Sequence, residues 1–209
     1  VSSVLNMTSM FNGADVFNQP LNAWNTISAT TMTSMFQGAS AFNQSINSWN
    51  VSNVTLMNTM FGAATIFNQP LNSWNVSSVT DMGSMFSFAR AFNQPLNLWV
   101  VSSVTNMQSM FSNADAFNQP LNFWNVSSVL NMKQMFSDNT GFNGDISLWN
   151  VSNVTNMESM FANASSFNRQ LLWNVSNVTN MASMFLGASL FNSSLNSWNV
   201  GSVTNMSEM

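Results

Sequence analysis

The stretch VSSVTNMQSMFSNADAFNQPLNFWN, residues Val101–Asn125, decides the fold, because close variants of it follow one another along the whole chain. A Trp recurs every 25 residues at the same place in each copy, with one interval shorter by a single residue. These residues are Trp24, Trp49, Trp74, Trp99, Trp124, Trp149, Trp173 and Trp198. A repeat of this length indicates a solenoid, since one unit cannot bury its apolar face alone and stacked units can. The Trp residues are therefore predicted to form a core ladder.

We number the positions of each repeat as slots 1 to 25, with the Trp at slot 24. The repeats are 1–25, 26–50, 51–75, 76–100, 101–125, 126–150, 151–174 and 175–199, followed by a partial repeat, 200–209. No stretch differs enough to be a linker, so one elongated domain over 1–209 is predicted. The repeat pattern runs to both ends, so we expect both ends to be truncated, with more protein or a partner beyond them.

The seventh repeat lacks one residue between Phe167 and Trp173. A missing residue shifts the register of a ladder. We therefore predict a bulge or a tightened loop there, with the stack resuming at Trp173.

Apolar residues at slots 4, 7, 10, 11 and 14 form the first cluster of each repeat. In the fifth repeat they are Val104, Met107, Met110, Phe111 and Ala114. Steps of three or four place apolar residues on one stripe of a helix. Gly at slot 13 in three repeats suits the end of a helix. A short helix over slots 4–13 is predicted, with its Met side chains as core filler.

The second half of the repeat has the features of a strand. Pro occupies slot 20 in four repeats, and Pro cannot donate to a β-ladder. The Trp at slot 24 and the Val at the next slot 1 would then share one face of a strand, while slot 23 varies as an outward position does. A short strand over slots 21–26 is predicted, stacked in parallel about 4.8 Å from its equivalents.

Asn fills slot 18 in every complete repeat. These residues are Asn18, Asn43, Asn68, Asn93, Asn118, Asn143, Asn168 and Asn192. They are predicted to form an internal ladder in which identical amides stack and satisfy backbone groups of turns. The alternative is a row of amides that reads a ligand.

The composition excludes several functions. Only 5% of the residues are charged, and three Lys and Arg residues cannot form the basic stripe that phosphate contacts need, so no nucleic-acid partner is expected. Without Cys or His there are no disulfides and no Cys/His zinc sites, and no metal or cofactor is predicted. No apolar run approaches the about 20 residues of a membrane span.

Catalysis is not expected either. Asp138 and Asp145 share a repeat, but no His or Lys base accompanies them. The many Ser residues have no His to activate them. We therefore predict no catalytic residue and no enzyme activity.

The motifs FNQPLNSWN, VSNVTNM and SMFxGAS, found throughout the chain, resemble the 25-residue repeat of mycoplasma-type surface proteins, which are related to BspA-like leucine-rich-repeat surface proteins. The closest repeats are 51–75, 101–125 and 175–199. The resemblance implies an α/β, leucine-rich-repeat-like solenoid of about eight coils, each with one short strand and one short helix. Where the commoner repeat has Asp after the Gln and after the Trp, this chain has mostly Pro and Asn, which removes any calcium-binding carboxylate column.

The resemblance implies an extracellular or cell-surface protein used in adhesion or structure. The favoured hypothesis is a segment of a longer fibre-forming or surface-array protein that self-associates into a filament. An alternative is recognition of a glycan or a surface protein by outward residues of the strand face, Ala23, Leu98, Phe123 and Leu148. A minor alternative is ice binding by the Thr row at slot 5, although the predicted helix would keep that row off a flat strand.

Glycosylation is a further hypothesis. Asn-x-Ser/Thr triplets are frequent, and such Asn residues can carry glycans in secreted proteins. The candidate acceptors are Asn50, Asn75, Asn125, Asn150, Asn163 and Asn174.

Overall fold

The chain forms a stack of coils, one per repeat, in a computed structural model that describes all residues, 1–209. Single-residue parallel bridges join slot 6 of each coil to slot 6 of the next. They are Asn6–Thr31, Thr31–Leu56, Leu56–Asp81, Asp81–Asn106, Asn106–Asn131, Asn131–Asn156, Asn156–Asn180 and Asn180–Asn205. Turns and extended segments make up the rest of each coil, which contains no helix and no longer strand. It follows that no helix is long and apolar enough to span a membrane.

The predicted helix over slots 4–13 is wrong. Backbone N–H groups at slots 10 and 14 donate to the carbonyl three residues earlier, as in Met110 N to Met107 O at 3.2 Å and Ala114 N to Phe111 O at 3.2 Å. Each of these β-turns joins two residues that are three apart, slots 7 and 10 or slots 11 and 14, and a helix also places residues three apart on one face. The apolar pattern was therefore compatible with both structures.

The N–H groups between these turns donate to the next coil. Slots 7, 9, 11 and 13 donate to carbonyls at slots 6, 8, 10 and 12 of the following coil. Examples are Met107 N to Asn131 O at 3.0 Å and Phe111 N to Met135 O at 2.9 Å. A backbone that satisfies its polar groups between coils gains nothing by forming a helix within one coil.

Bonds within a coil and bonds to the next coil alternate along slots 7–14. This alternation requires left-handed backbone, with positive φ, at slots 9 and 13 of every complete coil. Slot 13 is Gly in three coils, each with φ of 69°. Elsewhere it carries side chains, including Ala63 with φ of 55° and Phe88 with φ of 59°. A side chain in this region costs roughly 1–2 kcal/mol, because Cβ approaches the following carbonyl oxygen.

Ala63→Gly is expected to raise the free energy of unfolding by about 0.5–1 kcal/mol, which is the relief of backbone strain less the entropy cost of Gly. Ala63 is half-buried and loses only a methyl group in this substitution. Urea unfolding followed by Trp fluorescence measures the change. The control is the adjacent Ala64→Gly, which lies at a buried residue without positive φ and should destabilise. A loss of stability in Ala63→Gly would contradict this account of slot 13.

The predicted strand over slots 21–26 is also wrong. The Trp N–H donates to the carbonyl of slot 21, as in Trp124 N to Leu121 O at 3.0 Å, so slots 21–24 form a turn. Stacked indole rings of successive coils lie 6.1–6.5 Å apart. Of the backbone N–H groups in slots 21–25, only that of Leu121 donates to a backbone carbonyl of another coil, Asp145 O at 3.0 Å, so no β-ladder forms there.

The coils are wedge-shaped. Ring centroids of equivalent Phe residues in adjacent coils are 5.3–5.8 Å apart at slot 11 and 5.9–6.3 Å apart at slot 17. The separation is greatest at the Trp of slot 24. We call slots 5–9, which include the bridges, the narrow edge, and slots 22–25 the wide edge. The solenoid therefore curves toward the narrow edge.

One cluster of 59 buried residues fills the interior from the first complete coil to the last. Within each coil the Phe rings of slots 11 and 17 stack with centroids 3.9–4.2 Å apart. Parallel stacking with an offset is a favourable arrangement of aromatic rings. The two Phe columns therefore run without interruption along the axis of the solenoid.

The short seventh repeat keeps its place in the stack. Trp173 lies 6.1 Å from Trp149 and 6.4 Å from Trp198, close to the spacing elsewhere. Its backbone N–H makes no turn hydrogen bond, and the segment from Phe167 to Asn174 is without turns. The missing residue thus removes the turn of slots 21–24, and the prediction that the stack resumes at Trp173 is confirmed.

Candidate functional site

The Trp column lies inside the solenoid. From Trp49 onward each indole is at most 9% exposed, and only Trp24 in the first coil is half-buried. Each Nε1 from Trp49 onward donates to the slot 21 carbonyl of the preceding coil at 2.8–3.2 Å. A buried indole needs such a partner for its N–H. The column holds coils together and leaves no indole face for a ligand.

The Asn column of slot 18 lies at the surface, half-buried or exposed, rather than in the interior. Each Oδ1 from Asn18 to Asn168 accepts the backbone N–H of slot 18 in the next coil at 2.7–3.1 Å. In four coils the Gln at slot 19 donates its Nε2 to the same oxygen at 3.0–3.1 Å. These oxygens are already used within the chain, whereas the Nδ2 groups of the column make no hydrogen bond and are the groups that could read a ligand.

Two other Asn positions have a local role that the sequence analysis missed. Asn125 Oδ1 accepts the N–H of Ser127 at 3.1 Å, and Asn131 Oδ1 accepts that of Lys133 at 3.0 Å. An Asn that bonds its own backbone two residues later forms an Asx-turn. The recurring Asn at slots 25 and 6, each directly before a turn, was the available signal.

The narrow edge carries a polar depression of about 200 Å³. It is lined by Asn58, Thr59, Asp81, Gly83, Ser84, Asn106 and Gln108. Asp81 Oδ1 accepts the N–H of Gly83 at 2.8 Å and Nδ2 of Asn106 at 2.9 Å, while its Oδ2 has no partner. A Cβ on Gly83 would lie 2.9 Å from Asn106 Nδ2. We call this depression the Asp81 groove. It offers a fixed carboxylate oxygen, amides and hydroxyls to a ligand rich in O–H groups.

Three other carboxylates, those of Asp138, Asp145 and Glu158, are bonded to neighbouring residues. Asp138 Oδ1 accepts Nδ2 of Asn163 at 2.8 Å, and Glu158 pairs with Lys133 at 2.9 Å. The backbone N–H of Ser147 donates to Asp145 at 2.9 Å, and this bond, with the nearby Arg169, holds the pKa of Asp145 below its usual range. No group of three metal-ligating side chains occurs.

The Thr row at slot 5 does not lie on a helix, contrary to the prediction. It occupies the extended segment beside the bridges, and its side chains are exposed. Each Thr hydroxyl donates to the slot 5 carbonyl of the preceding coil at 3.1–3.3 Å. The row therefore presents methyl groups and acceptor lone pairs, with its hydroxyl hydrogens engaged, which weakens the ice-binding hypothesis.

The variable residues of slot 23 are exposed, but they lie at the wide edge and not on a strand face, in turns in every coil except the seventh. Four successive coils carry large apolar side chains there. They are Leu98, Phe123, Leu148 and Leu172, with exposed fractions of 66%, 77%, 72% and 67%. We call these four residues the apolar ridge. Ala23, the other residue predicted for this surface, lies three coils away from it.

The comparisons with known proteins concern the repeat and the solenoid. A family model described as "Mycoplasma protein of unknown function, DUF285" matches residues 1–99, 87–172 and 171–209. No curated protein matches the chain. Two of the solved structures similar to it are a leucine-rich repeat protein from Bacteroides ovatus (16% identity, TM-score 0.34) and the TLR13–ssRNA13 complex (9% identity, TM-score 0.33). The alignments cover 73% and 100% of this chain, which spans 46% and 35% of those chains.

Proposed function

The chain belongs to the DUF285 family, and on that premise we propose that it is a segment of an extracellular or cell-surface repeat protein with a structural or adhesive role. The observation that carries the proposal is the unbroken set of contacts between coils, from the backbone bonds to the Trp and Asn columns. Such a stack suits a stiff spacer or display rod, because each coil depends only on its neighbours.

The distribution of charge supports a role other than catalysis. The ten charged side chains lie in five of the eight complete coils and in the partial repeat, and Asp138, Asp145 and Glu158 are bonded to their own neighbours. Catalysis by proton transfer needs titratable groups placed together around a substrate. We infer that the protein works through its shape and surface, as part of a longer array that self-associates.

The test is the location of the native protein on its own cells. An antibody to the repeat should label intact cells, and protease treatment of intact cells should remove the label. Antibody fragments against the wide edge should reduce attachment of the cells to a surface. Labelling only after the cells are made permeable would overturn the proposal.

The second candidate function is glycan recognition, and the Asp81 groove favours it. The groove has hydrogen-bonding groups in fixed positions, and Gly83 keeps it open. A glycan array probed with the purified chain tests this function. Binding should be lost in Gly83→Ala, whose Cβ would fill the groove, and should persist in Ser197→Ala at the wide edge. An array without bound glycan would exclude this candidate.

Glycosylation is expected at one class of Asn only. Asn125 and its equivalents at slot 25 (Asn50, Asn75, Asn150 and Asn174) are exposed and use Oδ1 in the Asx-turn, and Nδ2 makes no hydrogen bond. At slot 3, Asn153 Nδ2 donates to Ser127 O at 2.7 Å, and Asn53 and Asn177 are bonded in the same way. Asn163 Nδ2 is bonded to Asp138.

If the protein passes through a secretory pathway that adds N-glycans, we predict sugar on the slot 25 residues and none on Asn53, Asn153, Asn163 or Asn177. Only an amide nitrogen that is free and exposed can be modified without breaking a bond of the fold. Peptide mass spectrometry before and after enzymatic removal of N-glycans measures occupancy at each Asn. Equal occupancy of the two classes would show that these hydrogen bonds do not protect the acceptors.

A further inference from the structure

The apolar ridge is unusual on the surface of this solenoid. The slot 23 residues before it are Ala23, Ser48 and Ser73, and the residue after it is Ser197. Large apolar side chains are thus confined to four adjacent coils. The Trp residues next to them are 6.1–6.5 Å apart, so the ridge is a continuous line of side chains.

The size of the ridge is that of one side of a small interface. Its exposed fractions, together with the 56% exposed Val100 beside Leu98, correspond to roughly 600 Å² of apolar surface per chain, at the upper end of what a monomer normally exposes. Two such surfaces in contact would bury about 1,200 Å², the lower limit for specific protein–protein interfaces.

The surroundings of the ridge favour a second copy of this chain as the partner. Slots 21–25 contain no charged residue in any coil, and the nearest charges, Asp145 and Arg169 at slots 20 and 19, are of opposite sign, so the facing slots of two identical wide edges carry no like charges. A membrane surface fits less well, because binding to anionic lipids uses basic residues and the chain has three.

We propose that the apolar ridge is a dimerisation surface at which two chains pack antiparallel about a two-fold axis. In a two-fold interface, residue i contacts residue j of the partner, and residue j contacts residue i. An axis between the fifth and sixth coils places Phe123 opposite Leu148 and Leu98 opposite Leu172. The Ser73 and Ser197 that bound the ridge then also face each other.

Sedimentation velocity of the full chain, produced without glycosylation, tests the proposal over protein concentrations of about 1–100 μM. The wild-type chain is expected to change from monomer to dimer as the concentration rises. Phe123→Ser should raise the dissociation constant more than tenfold, because Phe123 lies at the centre of the interface and each substitution removes it from both copies. Val16→Ser changes a 91% exposed residue far from the ridge and should leave the dimer intact.

The orientation has its own test, because the chain has no native Cys. A mixture of Phe123→Cys and Leu148→Cys chains should form a mixed disulfide dimer under oxidation in preference to either homodimer. The proposal is overturned by a wild-type monomer at every concentration, by a dimer that Phe123→Ser does not weaken, or by preferential homodimer crosslinks. None of these results bears on the location of the native protein, so the proposed function would fail or stand separately.

Discussion

Trp124→Ala is expected to lower the free energy of unfolding by about 3–5 kcal/mol, the usual cost of truncating a fully buried aromatic side chain. The Trp124 ring is 3% exposed and stacks 6.3 Å from Trp99 and 6.5 Å from Trp149. Its Nε1 also donates to Leu96 O at 3.0 Å, so the substitution removes a bond between coils together with the ring. Urea unfolding followed by circular dichroism measures the change.

Val16→Ala provides the control, since its side chain is 91% exposed, and its effect should stay within about 0.5 kcal/mol. In a solenoid, damage to one coil can also uncouple the coils on its two sides. The unfolding curve of Trp124→Ala should therefore broaden as well as shift. A curve that coincides with the wild type would contradict the role assigned to the Trp column.

Asn139→Ala is expected to raise the free energy of unfolding by about 1–3 kcal/mol, the cost of a buried polar group without a partner. Asn139 is completely buried, and its Oδ1 accepts no hydrogen bond. Its Nδ2 makes only long bonds, 3.5 Å to Phe111 O and 3.3 Å to Phe117 O. Every other complete repeat has Ala at this slot, so the coil geometry already accommodates the smaller side chain.

The matched control makes the same substitution at Asn118. Asn118 Oδ1 accepts the N–H of Asn143 at 2.7 Å, and its loss should destabilise by about 1 kcal/mol. Thermal unfolding of the two variants should thus shift in opposite directions. If Asn139→Ala is the less stable of the two, Asn139 must have a role in the core that its hydrogen bonds do not show.

The 25-residue period predicted the solenoid and the identity of its core residues, because repetition marks the positions that must face the same environment in every coil. Trp124, Phe111 and Met107 are all buried in the structure. The period could not predict the local backbone. Hydrophobic spacing reports which residues point inward, and steps of three or four arise from a helix and from consecutive β-turns alike.

Positive φ at slots 9 and 13 distinguishes consecutive β-turns from a helix, but the residues at these slots gave little sign of it. Slot 13 is Gly in three coils, which fitted the end of a helix as well as a turn. Slot 9 is mostly Ser and never Gly, although its φ is 53–57° in every coil. The hydrogen bonds to the next coil impose that conformation, and a tertiary constraint of this kind leaves no local pattern.

The candidate surfaces were predicted only in part, because their positions also depend on how the coils contact one another. The variability of Leu98 and Phe123 marked them as outward residues, which their exposure shows. Their position at the wide edge follows from the unequal separation of the coils, which only coordinates reveal. The Asp81 groove depends on Gly83, which stands at slot 8 where most other coils have a larger side chain, and a departure in one coil is not part of the repeat pattern.

The direction of the bonds between coils has a mechanical consequence. They run along the rod, so a pull on the two chain ends loads one coil–coil boundary at a time. Each coil that detaches would release 25 residues, or about 80–90 Å of slack. In single-molecule force spectroscopy the chain should lengthen in regular sawtooth steps of that size. Such a protein would act as an extensible tether that lengthens one coil at a time under force, whereas a single globular domain would unfold in one event.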